Sequence, residues 1–148
     1  MKRIIVVAFL LAAAGVLAAC SSAETDAVPM AEFMLTATDI AYDANRLEVV
    51  AGQPVRVTLR NNGALEHDFS IMEMPHTGDV MAEEAEDGMA GHDMSNMGMD
   101  PEIHVASPMG DSLSVEFTPT TPGEYEFFCT VAGHKEAGMV GTLIVTAP

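Results

Sequence analysis

Residues 127–145 read FFCTVAGHKEAGMVGTLIV. Two apolar runs flank a polar, glycine-broken stretch, and Cys129, His134 and Met139 follow one another across it at equal spacing. The leading run extends backward as EYEFFC, in which Tyr125, Phe127 and Cys129 fall on one face of an extended strand because successive side chains alternate. Cys129 is therefore expected to point inward. Beyond it, Gly133, Gly138 and Gly141 let the chain fold back and bring His134 and Met139 to the thiol at the strand end, before GTLIV leads out as a further strand.

Working outward, the same period of two recurs. Val55-Arg56-Val57-Thr58-Leu59-Arg60 alternates apolar and polar, and Leu113, Val115 and Phe117 alternate with Ser112, Ser114 and Glu116. FMLTATDIAYD, NRLEVV and HDFSIMEM complete a series of short segments rich in Val, Ile, Leu, Thr and Phe, separated by turn chemistry at Ala51-Gly52-Gln53-Pro54, Asn61-Asn62-Gly63 and Thr121-Pro122-Gly123. Past the N-terminus no window carries helical periodicity, so the fold class is all-β, a small sandwich or barrel. Residues 75–110 are crowded with Met, His, Gly and acid and show no strand pattern before about Ile103, which predicts an irregular surface insertion at about 75–102.

The N-terminus has its own logic. MKRIIVVAFLLAAAGVLAAC is a basic pair, an apolar run and small residues, the pattern of a secretory signal, and Leu17-Ala18-Ala19-Cys20 resembles the lipobox of bacterial lipoproteins. The expected organisation is a signal peptide at 1–19, lipid attachment at Cys20, a tether over 20–32 and one domain from 33 to 148. Such a chain is extracytoplasmic and anchored to a membrane by its lipid. Without the leader, four basic residues face 22 acidic ones, a formal charge of −18 that excludes nucleic acid and favours a partner with a basic docking face. With Cys20 lipidated, Cys129 has no disulfide partner in an oxidising compartment and needs a role or a shield.

Thiolate and thioether are soft donors and imidazole is intermediate, so Cys, His and Met together suit copper in both oxidation states. Two histidines, one cysteine and a weak axial methionine form the ligand set of blue-copper sites, which requires a second histidine here. His67, at the start of the strand HDFSIMEM, is the leading candidate; His104 is its rival, and His76 and His92 lie in the expected insertion. A Cys–His nucleophile pair or a zinc site leaves Met139 unexplained, and four protein ligands leave no open position for catalysis, so the chain is expected not to be an enzyme.

Residues 33–146 resemble the cupredoxins, the plastocyanin and azurin superfamily of type 1 copper proteins. The likeness rests on EFFC, GH, GM and GTLIV in order with His67 upstream, and the spacing of Cys129, His134 and Met139 is closer to that of auracyanin and rusticyanin than to plastocyanin. This resemblance implies a Greek-key β-sandwich and one copper held by His67, Cys129, His134 and Met139. It further implies single-electron transfer with redox proteins such as a cytochrome or oxidase, through an apolar patch near Val131, Ala132, Ala137 and Met139. Many cupredoxins carry Asn after the first histidine, where it braces the ligand loop; this chain has Asp68, which either lowers the reduction potential or points to solvent. Seven methionines between Met72 and Met99, densest at His92, Met94, Met97 and Met99, form a candidate second site for Cu(I) and raise the alternative of a copper-trafficking protein.

Overall fold

Alternation along the chain becomes two five-stranded sheets packed face to face. The computed structural model describes residues 28–85 and 99–148. Its strands are β1 (Ala31–Thr38), β2 (Ala41–Tyr42), β3 (Arg46–Val50), β4 (Val55–Asn61), β5 (His67–Ile71), β6 (His76–Ala82), β7 (Ile103–Ser107), β8 (Ser112–Pro119), β9 (Gly123–Phe128) and β10 (Val140–Thr146). One sheet runs β2-β1-β4-β8-β6 and the other β3-β10-β9-β5-β7. The β1–β4 and β3–β10 pairs are parallel and the remaining pairs antiparallel. The fold is the all-β sandwich expected of a cupredoxin.

The inward residues of the alternating runs build one core. Leu35, Leu59, Phe69, Phe127 and Leu143 are fully buried, drawn from both sheets. Each such side chain contributes about 1.5–3 kcal/mol by leaving water, which is why neither sheet is expected to stand alone. At the centre, Phe127 packs against Phe69 and Tyr42, with ring centroids 5.0 and 5.6 Å apart. Cys129 and Met139 belong to this same cluster, so the stretch that opened the sequence reading is continuous with the core.

Two expectations need correction. The insertion at about 75–102 does not begin as irregular chain: His76–Ala82 forms β6, an edge strand on β8. Nearly all its side chains are exposed and its register shifts between Thr77 and Met81, so it is held by backbone pairing and leaves no periodicity to read. Gly141 is not part of the fold-back. It lies inside β10 opposite Phe127, whose ring lies so close that a Cβ at Gly141 would come within 2.1 Å of it.

Gly141→Ala must therefore push Phe127 out of its place. The expected cost is about 1–3 kcal/mol, the usual range for overpacking a filled core, seen as a drop of several degrees in a thermal melt; an unchanged melt would show that the ring moves aside freely.

Candidate metal centre

The four proposed ligands reach one end of the sandwich by different routes. His67 is the first residue of β5, Cys129 lies one residue past β9, and His134 and Met139 sit in the loop joining β9 to β10. That loop is closed by its own backbone: His134 N donates to Val131 O at 3.0 Å, Met139 N to His134 O at 3.0 Å, and Cys129 N to Met139 O at 3.1 Å. The reversals fall at Gly133 and Gly138, whose φ values of 86° and 100° lie in the left-handed region that other residues avoid. On the opposite side, buried Asn61 shapes the approach to His67. Its side chain donates to Leu65 O and Ser107 O, each at 2.7 Å, and accepts from Gly63 N at 2.9 Å.

Cys129, His67, His134 and Met139 are all buried, none more than 4% exposed. The Cys129 sulfur lies 3.4 Å from Nδ1 of His134 and 3.9 Å from Nδ1 of His67, and one ligand atom from each of the three falls within 4.8 Å of the others. A metal roughly 2.0–2.3 Å from imidazole nitrogen and thiolate sulfur holds such donors roughly 3–4 Å apart. The donor set therefore has the spacing that a metal needs. The other ring nitrogen of His67, Nε2, is buried without a partner and faces Gly63, where a Cβ would come within 2.7 Å of it. Gly63 is small because His67 occupies the space.

Burial, reinforced by the neighbouring His134, pushes His67 below the ordinary imidazole value, which keeps it a neutral donor. Burial first, then the adjacent carboxylate of Asp68, pushes the Cys129 thiol up to about 12. Without a metal the sulfur is thus a thiol.

Asp68 does not point to solvent. It is 3% exposed, and its carboxylate accepts from the Thr130 amide at 3.0 Å, from the Thr130 hydroxyl at 2.7 Å and from Ser70 Oγ at 2.8 Å. It performs the loop bracing expected of an amide, and one of its oxygens is 3.7 Å from the Cys129 sulfur. Thr130 and Ser70 escaped the sequence reading, although their positions carried the signal: Thr130 follows Cys129, and Ser70 shares a strand face with Asp68.

The other expected residues lie apart. His104 is bonded through Nδ1 to Ser70 Oγ at 2.8 Å, and His76 sits on β6 with Nδ1 3.0 Å from Met74 O; neither joins the cluster. Met139 is fully buried, so it cannot contribute to a surface patch, whereas Ala132 and Ala137 are exposed. Met99 lines a pocket with Phe128, Cys129 and Val131 at the edge of the ligand loop. Cys20, His92, Met94 and Met97 lie outside the described residues.

A family model described as copper binding proteins, plastocyanin/azurin family, matches residues 30–146. The chain belongs to that family. This cupredoxin is 32% identical over 130 residues to the copper-resistant cuproprotein CopI of Pseudomonas aeruginosa, covering 72% of this chain and 71% of the relative. It is 30% identical over 158 residues to auracyanin-A of Chloroflexus aurantiacus, covering 97% and 96%. Among solved structures, reduced auracyanin from Roseiflexus castenholzii superposes with a TM-score of 0.56 at 23% identity, over 78% of this chain and 96% of that one, a likeness of fold. Copper is the cofactor that the family and the donor set agree on.

Because the thiol is held well above its ordinary value while copper takes the thiolate, loading the apoprotein at neutral pH is expected to release close to one proton from Cys129. Calorimetric titration in buffers of different ionisation enthalpy measures this, and a count near zero would show that the thiol is already ionised.

Proposed function

We propose that this cupredoxin carries single electrons between redox proteins outside the cytoplasm, with His67, Cys129, His134 and Met139 as the copper ligands. The observation that carries the reading is the burial of all four side chains, with donor atoms of His67, Cys129 and His134 within 4.8 Å of one another, which gives a substrate little access to the metal position. That favours a carrier over an enzyme. Bound copper supplies the one-electron couple; the chain supplies two imidazoles, a thiolate and a thioether fixed by a core and a bonded loop.

His134, on the ligand loop and only 4% exposed, is the proposed exit for the electron, with exposed Ala132 and Ala137 and half-buried Val131 on the same loop as the contact surface. The acidic charge suits a partner with a basic face, such as a cytochrome or oxidase. A lipid on Cys20 and the tether after it hold the domain at a membrane surface.

Copper-loaded protein is expected to show an intense visible thiolate-to-copper band that disappears in Cys129→Ala, with the strand content unchanged by circular dichroism. Retained colour in that variant would place the metal elsewhere.

A second reading, copper handling, is favoured by the similarity to CopI and by Met99 lining a pocket together with residues of the ligand loop. It expects a second, Cu(I)-selective equivalent that is lost when Met94, Met97 and Met99 are changed together to Leu, leaving the coloured site intact. One copper per chain in both proteins would remove it. These substitutions spare β6, which deletion of the whole insertion would destroy.

A further inference from the structure

Of the four proposed ligands, His134 is the one that neither a strand nor the core holds. His67 begins β5, and Cys129 and Met139 belong to the hydrophobic cluster, whereas His134 hangs inward from a turn, residues 132–138, in which every other residue is exposed. Gly133 and Gly138, both in the left-handed region, bound the turn around it. Among the described residues, the backbone bonds of 133–138 all end between Val131 and Val140, so the turn is closed on itself and is not sewn to a neighbouring strand.

One side chain reaches out of it. Lys135, next to His134, lays its ammonium 3.7 Å from the ring centroid of Phe128 and pairs with Glu126. Both partners lie on the outer face of β9, the strand that delivers Cys129, because alternation turns Phe127 and Cys129 inward and Glu126 and Phe128 outward. Cavities of about 170 and 260 Å³ flank this contact, one lined by Val131 and Ala132 and the other by Met72 and Glu73, so little else backs the turn.

We propose that Lys135 is a positioning residue for His134: by fastening the turn to the outer face of β9, it holds the imidazole in the copper site and sets the rate at which copper leaves. This deepens the copper reading of the site and rests on it.

The place calls for a cation on a long stem. An ammonium meets the negative face of the ring and the carboxylate together, while its aliphatic stem covers apolar surface. Beyond Lys2 the chain has one lysine, and it is this one. Arg46 pairs with Glu48, and Arg56 with Glu116 and Glu32, so neither competes for Glu126. At such partly exposed positions a cation–π contact shifts an opening equilibrium about two- to fivefold and an ion pair up to about fivefold. Loss of both should raise the open fraction on the order of three- to thirtyfold.

The test is the rate of copper loss from the Cu(II)-loaded full chain to excess EDTA, read as decay of the thiolate-to-copper band. Lys135→Gln is expected to lose copper roughly three- to thirtyfold faster at low salt. Lys135→Arg should stay near the parental rate, since a guanidinium both pairs with a carboxylate and stacks on a ring. Salt screens the ion pair, so raising ionic strength should speed the loss from the parent more than from Lys135→Gln. Glu126→Gln should also be faster than the parent, and adding it to Lys135→Gln should bring little more, because the two changes remove one shared interaction. Both positions are exposed, so the strands are expected to stay intact by circular dichroism. Equal rates in the parent and Lys135→Gln, a Lys135→Arg variant as fast as Lys135→Gln, an undiminished salt dependence in Lys135→Gln, or additive effects of the two neutral variants overturns the proposal. A parent that never shows the band overturns instead the copper reading beneath it.

Discussion

The carboxylate of Asp68 ties the two ligand-bearing backbones together. Asp68 follows His67 and Thr130 follows Cys129, so bonds from the Thr130 amide and hydroxyl to one buried side chain fix the separation of histidine and cysteine. Regular pairing does little of this, because β5 and β9 share only the Ser70–Phe128 position before they part. Where the ladder stops, Asp68 continues it. Hydrogen bonds to a charged group contribute about 1.5–3 kcal/mol each, enough to outweigh the tendency of a glycine-rich loop to open.

The same carboxylate makes the empty site uncomfortable for a thiolate. It lies 3.7 Å from the sulfur, and with burial it holds Cys129 protonated. A metal cation relieves both costs at once by taking the proton's place and neutralising the carboxylate's field. Tyr42 reinforces the arrangement from the core side: its hydroxyl donates to the backbone carbonyl of Asp68, and burial drives its own ionisation far above the ordinary range, so it remains a donor at any physiological pH. Core and site are therefore one mechanical unit, with Phe127 packed at a tilt between Tyr42 and Phe69, two residues before Cys129 on the same strand face.

Much of this was legible in the sequence, for identifiable reasons. Strands β4, β8, β9 and β10 each bury one face, and a half-buried strand must alternate. The convergence of Cys129 and His134 was readable because a soft donor set with glycine reversals has few other uses, and that of His67 because a donor is best held at a strand end. Edge strand β6 was not, since exposed side chains carry no pattern. The role of Asp68 was half legible: its closeness to the site followed from its place beside His67, but its burial depended on Thr130, which is 62 residues away in sequence. His104 was weighed as a ligand, and only the cross-strand position opposite Ser70 shows that it is bonded to that serine instead of joining the cluster.

Rigidity and charge place opposite demands on such a centre. The loop bonds from Cys129 to Met139, from Met139 to His134 and from His134 to Val131 do not depend on the metal's oxidation state, nor does the packing of Cys129 and Met139 in the core. In the proposed carrier these positions stay fixed as the electron arrives and leaves, which keeps the barrier from nuclear motion low. A frame that cannot move, however, cannot answer a change of charge by rearranging. Within that frame Asp68 sets a carboxylate 3.7 Å from the sulfur. It accepts from both Thr130 and Ser70, so it cannot swing away from the sulfur without breaking those bonds. A single side chain thereby sets both the separation of His67 from Cys129 and the field that the sulfur meets.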